Sequence, residues 1–180
     1  MGVGILLSLS RSVGFDPGIA TLLVLLAATI MLFVIYPEKP RRIGLAGISA
    51  LLGAGVLAAC GWLAITDWQL SNYTSASWVE YSIFLLVQIV FAPIYEEKVV
   101  RHVLLFGLAR RMGFVFSAIV VSVAFAAVHR GNFTTVLLFS LGASWLAYNG
   151  YGSLQRTLLH GANNAVIVLW QLGVPHWLQS

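Results

Sequence analysis

Charge is scarce in this chain. Its 180 residues carry six acidic and ten basic side chains, and 59% of them are hydrophobic against 9% charged. A soluble domain of this length would carry about 25% charged residues, so too little polar surface is left for water to wet. Disulfides are excluded within the chain, because Cys60 is its single cysteine; lying in an apolar run, it reads as a packing residue. The net charge of +4 forms no patch, which gives no reason to expect nucleic acid as a partner. Short alternating segments, as a β-barrel would need, are missing too.

What is there is a series of long apolar runs, with a mean hydropathy of +0.91 for the whole chain. About 20 apolar residues cross ~30 Å of hydrocarbon. On that rule the expected fold class is all-α: a polytopic membrane helix bundle of about six spans, at 18–36, 43–65, 79–109, 113–129, 133–149 and 153–172. Residues 2–9 are too short to span, and Leu6 stands where a myristoylation signal needs Ser or Thr. The run 18–36 has no small-residue cleavage site after it, so it reads as a membrane helix and not as a removable signal peptide. Lys39, Arg41, Arg42, Arg110, Arg111 and Arg156 fall in loops on one side, Arg11 and Arg130 on the other, which places the first group in the cytoplasm and both termini outside.

Two adjacent carboxylates, Glu96 and Glu97, interrupt this apolar background, with Arg101 one turn later. An acidic residue at the centre of a membrane helix costs roughly 2.5–3.5 kcal/mol even on lenient scales, so its default reading is a functional site. Glu97 and Arg101, at i and i+4, share a helix face and can pair. Glu96 is rotated about 100° away and is left free for chemistry. Pro93, three residues earlier, is expected to kink the helix or free backbone groups there and open a notch to water. Lys98 is expected to face a cavity, and His102 and His176 are expected to be incidental.

Three more polar residues sit in apolar runs: His129, His160 and Asn164, the last two again at i and i+4. Singly, an intramembrane His or Asn is usually a tie between helices. Together on three spans, these groups fit a hydrolytic site. Glu96 suits a general base acting on water, and His129 a partner that shares the water or protonates the leaving amine. His160 and Asn164 suit hydrogen-bond donors to an oxyanion. No Ser or Cys has a partnered base on an obvious face, which favours direct attack by water.

The three motifs Glu96-Glu97-x-x-x-Arg101, Phe125-x-x-x-His129 and His160-x-x-x-Asn164, with Ser122 just before the second, resemble those of the CAAX prenyl protease 2 and bacteriocin-processing (CPBP, Abi) family over about residues 80–172. That resemblance implies a glutamate-type intramembrane endopeptidase without metal or other cofactor. In it Glu96 and His129 activate water, His160 and Asn164 form the oxyanion hole, and Glu97 and Arg101 support the site. The chain departs from many relatives at Val100 and His102, which flank Arg101. Its size favours the small prokaryotic relatives in a cell membrane, acting on a protein or peptide with a hydrophobic or C-terminal processing segment.

The expected organisation is therefore 1–78, membrane helices without motif residues; 79–172, the catalytic bundle; and 173–180, a short tail. Other readings stay open: a zinc site from Glu and two His, a non-proteolytic protein of bacteriocin self-immunity, and a proton-coupled transporter. On these boundaries His129 lies nearer the outer face than Glu96 or His160. Either a fourth span extended toward Phe133 or a third one broken at Pro93 is expected to bring the three level.

Overall fold

The computed structural model describes residues 17–65, 78–129 and 132–171, and among these the chain is helical with no strand. Six helices follow one another. They are α1 (Pro17–Ile35), α2 (Leu45–Ile65), α3 (78–112), α4 (Phe114–Val128), α5 (Phe133–Tyr148) and α6 (Ser153–Gln171). A backbone in an apolar surrounding must satisfy its polar groups within its own segment, and a helix does this without partners. Among the described residues, α2 is the helix both long and apolar enough to cross a membrane; Ile19–Ile35, α4 and α5 are apolar but shorter.

Helix α3 is one continuous rod with two wide-turn stretches. It runs α-helical over Trp78–Leu86, π-helical over Val87–Phe91, α-helical over Ala92–Glu96, π-helical over Glu97–Leu104 and α-helical to Met112. Pro93 therefore does not break it. The π turn ahead of the proline absorbs the irregularity, as the Ala92 N–H reaches back five residues to the Val87 carbonyl.

Helix α6 is the centre of the bundle. Against it lies α2, through the stripe Leu51, Gly55, Ala59 and Trp62. A Cβ on Gly55 would stand 2.2 Å from the Leu159 carbonyl oxygen, so the two backbones approach as closely as glycine permits. Leu105, Ala118, Val121 and Ala147 form an apolar core where the end of α3 meets α4 and α5.

The distribution of polarity is inverted. Glu97, Lys98, Arg101 and Arg156 are buried with Ser117, Ser122, Ser140, Ser144 and Ser153. Leu57, Val115 and Val128 lie three-quarters exposed on the outside. Cys60, expected to be a packing residue, is exposed on α2. Arg156, expected in a cytoplasmic loop, lies inside α6 and is almost fully buried. Arg11 and Arg130 on the other side fall outside the described residues, as does the region near Leu6.

Candidate active site

Two neighbouring carboxylates part company at the junction of the Ala92–Glu96 and Glu97–Leu104 stretches. The Glu97 side chain is fully buried, whereas that of Glu96 is 29% exposed and lines a cavity of about 1130 Å³. The cavity runs between α2 and α5, with α6 and the middle of α3 behind it. His129, His160, Asn164 and Phe125 line it as well. Glu97 and Arg101 do not; they are the buried support behind the wall.

Glu97 is held from three directions. Its Oε1 stands 3.6 Å from a guanidinium nitrogen of Arg101 and accepts from His160 Nδ1 at 3.1 Å. Its Oε2 accepts from Arg156 Nε at 3.0 Å. Arg101 in turn donates to Ser140 Oγ at 2.8 Å, and its guanidinium lies 4.3 Å from the centre of the Phe125 ring. The expected Glu97–Arg101 pair is thus present as part of a larger group that includes a second arginine.

His129 reaches the cavity because α4 ends beneath it. Its backbone is extended (φ −88°, ψ 133°), and its N–H turns to the Ala126 carbonyl at 3.3 Å in place of Phe125. The Phe125 carbonyl, left without its helical donor, lies 2.6 Å from His129 Nδ1. A carbonyl only accepts, so Nδ1 carries the proton and a neutral His129 presents the lone pair of Nε2. The same logic holds for His160, whose Nδ1 donates to the Glu97 carboxylate. Both Nε2 atoms are aimed at Glu96 Oε2, from 3.7 Å for His160 and 4.0 Å for His129.

Asn164 is fixed by the proline-bearing stretch of α3. The π turn sends the Ala92 N–H to Val87, so the Gln88 carbonyl would next look to residue 93, and proline has no N–H. Asn164 Nδ2 fills that place, donating to the Gln88 carbonyl at 2.9 Å and keeping its second N–H unused by it. Next along, the Ile89 carbonyl lies against Gly161, where an added Cβ would come within 2.5 Å. The freed groups expected at Pro93 are real, and α6 packs onto them.

His129 and Glu96 meet without either expected boundary shift. Helix α4 does not extend toward Phe133, and α3 is not broken at Pro93. His160 joins them because α6 begins level with Lys98, well short of the Met112 end of α3. Glu38, in the loop after α1, accepts from Lys98 Nζ at 2.6 Å and from the Ser153 backbone N–H at 2.6 Å, and from the Ser153 hydroxyl. The first turn of α6 and the Lys98 turn of α3 thus share one carboxylate.

Lys98 does not face the cavity, contrary to expectation. It is fully buried, pairs with Glu38, and also donates to the Tyr36 carbonyl at 2.5 Å. His102 stands 3.7 Å from Glu38, and His176 lies outside the described residues. Burial alone would push the Glu38 carboxyl toward its neutral form, but hydrogen bonds from Lys98 and from both Ser153 groups, with the nearby His102, hold it below its ordinary value of 4.5.

Among the described residues, no group of three His, Cys, Asp or Glu side chains is arranged to hold a metal ion. Arg156, Glu38 and Ser140 were missed as site residues. For Arg156 the signal was present, since it stands four residues before His160 and eight before Asn164, on one helix face.

The family model described as "Type II CAAX prenyl endopeptidase Rce1-like" matches residues 78–166. The matched segment holds all three motifs and leaves out α1 and α2. No curated protein and no solved structure matches the chain.

Proposed function

We propose that this chain, whose residues 78–166 match the Rce1-like family of type II CAAX prenyl endopeptidases, is a multi-pass membrane endopeptidase that hydrolyses a peptide bond with water held between Glu96, His129 and His160. The supporting observation is the convergence of two imidazole Nε2 atoms on one oxygen of Glu96, at 3.7 and 4.0 Å, on the wall of an apolar cavity. Gaps of that size are too long for direct hydrogen bonds and suit a bridging water. The inverted polarity, with charges inside and large hydrophobics outside, suits a bundle surrounded by lipid.

In this mechanism Glu96 takes a proton from the water, and the hydroxide attacks the peptide carbonyl carbon. The negative charge that develops on the carbonyl oxygen accepts from the unused N–H of Asn164, while His160, whose Nδ1 donates to Glu97, helps hold the attacking water through the lone pair of Nε2. The C–N bond then breaks as the proton that Glu96 took from water passes through His129 Nε2 to the leaving amine, which leaves Glu96 ionised and His129 neutral again. Phe125 keeps His129 in place through its carbonyl and through its ring, whose centre is 4.0 Å from that of the imidazole. The cavity takes a hydrophobic stretch of the substrate, and cleavage falls near its C-terminus or membrane segment. The role that follows is maturation or sorting-tag removal in a prokaryotic cell membrane.

The test compares Glu96→Gln and His129→Ala in the native host, with C-terminal tails of membrane and secreted proteins read by mass spectrometry. Accumulation of the same uncleaved precursor in both strains, at normal membrane levels of the protein, is the expected result. Rescue of the gene-deletion phenotype by both variants, with no precursor, would make the site structural and the protein a binder.

A further inference from the structure

Arg156 belongs to none of the three motifs, yet it makes two hydrogen bonds to Glu97, one to the carboxylate and one to the backbone carbonyl, where His160 makes one. Its Nε donates to Glu97 Oε2 at 3.0 Å, and its two terminal nitrogens donate to the Glu97 carbonyl at 3.2 Å, to Ser153 Oγ at 3.3 Å and to the Tyr151 carbonyl. The guanidinium therefore grips both the main chain and the side chain of Glu97 while anchored to the first turn of its own helix. A planar fork with five donors is suited to such multiple fixing, as an ammonium is not.

The geometry of Glu97 shows what this accomplishes. One carboxylate oxygen is occupied by Arg156, which turns the other toward His160 Nδ1 at 3.1 Å. Arg156 and His160 are i and i+4 on α6, so a single helix face delivers the clamp and the ring that the clamped carboxylate orients. Arg101 approaches Glu97 Oε1 from within α3 at 3.6 Å, beyond hydrogen-bond reach. Without Arg156 the carboxylate is free to swing onto Arg101, and His160 loses the acceptor that sets its tautomer.

We infer that Arg156 is a positioning residue that, through Glu97, fixes the tautomer and ring orientation of His160. The consequence for catalysis rests on the protease reading above; the consequence for the His160 ring does not.

The test is nitrogen-15 NMR of the histidine side chains in the purified, detergent-solubilised full chain, which has four histidines, assigned with His129→Ala and His160→Ala. In the wild type, His160 shows protonated Nδ1. In Arg156→Gln the His160 ring resonances shift toward a mixture of tautomers, while those of His129, held by the Phe125 carbonyl, stay in place. On the precursor that accumulates in the Glu96→Gln strain, kcat falls about 10- to 100-fold with KM within about threefold. In a His160→Ala background, where nothing remains for Glu97 to orient, Arg156→Gln costs no further activity.

Should Arg156→Gln fail to fold, Arg156→Lys keeps the charge but not the fork, and the same His160 shift is expected there. Unchanged His160 resonances in a folded variant, or an equal loss of kcat in the His160→Ala background, would overturn the inference. Should Glu96→Gln leave no precursor while the His160 resonances still shift, the protease reading fails and the clamp stands.

Discussion

His129 and His160, on different helices, aim the same ring atom at the same target: Nε2 of each faces Oε2 of Glu96, and Nδ1 of each is occupied by an acceptor. The acceptors differ in kind. His129 is held by a carbonyl that the end of α4 leaves free, His160 by a buried carboxylate that two arginines neutralise.

The two adjacent glutamates separate by their failures. Glu96→Gln removes a base exposed to the cavity, and activity drops by about 10²–10⁴ while thermal stability in detergent holds. Glu97→Gln strands two buried guanidinium groups and costs about 3–5 kcal/mol of stability. Unfolding midpoints and single-substrate kinetics on both variants decide this. Equal destabilisation by the two would contradict the division of roles.

Pro93→Ala supplies an N–H where the π turn leaves the Gln88 carbonyl without one. That N–H competes with Asn164 Nδ2, so kcat falls roughly tenfold through a misplaced Asn164, while the helix content seen by circular dichroism does not decrease. Wild-type kcat in Pro93→Ala would mean that the proline does not hold Asn164 through Gln88.

Acidification acts through Glu38. Its carboxyl is held below the ordinary 4.5, so in the folded protein it stays ionised where the unfolded chain has begun to take up a proton. Stability from this group is complete above about pH 4.5 and is lost as pH falls through the lowered folded value. The melting temperature of the wild type therefore falls more steeply than that of Glu38→Gln over that window, and the two curves converge at the acid end. Parallel curves would remove Glu38 as the source.

Gly55 and Gly53 sit two residues apart on α2 and face opposite conditions. A Cβ at Gly55 meets the Leu159 carbonyl at 2.2 Å and Ala162 Cβ at 2.9 Å, while at Gly53 nothing lies within 4 Å. Gly55→Ala forces α2 off α6 and destabilises by about 1–3 kcal/mol; Gly53→Ala leaves the melting temperature unchanged or slightly raised. A neutral Gly55→Ala would mean that α2 and α6 separate without cost.

Much of the candidate site was legible because membrane depth makes polar residues conspicuous. Glu96, Glu97, Arg101, His129, His160 and Asn164 stood out against apolar runs, and the helix bounds fall within a few residues of the expected spans. Arg156 was legible by its spacing to His160, although its place at the start of an apolar run also fits a loop cation. Glu38 was not legible, because its partners Lys98 and Ser153 are 60 and 115 positions away, and nothing local in a loop glutamate tells of such contacts.

By itself, the sequence determined the all-helical class, the polar set, and which of two neighbouring carboxylates shares a face with Arg101. These follow from hydrophobicity and the helical repeat, which are local properties of the chain. Tertiary structure alone decided the depth of α6 and the capture by Asn164 of a carbonyl that Pro93 leaves unpaired. It also decided the choice of Arg156 as the second cation on Glu97. Each depends on how far one helix slides along another, which is set by the close approach at Gly55 and Gly161 and by the Glu38 anchor, and no single segment carries that information.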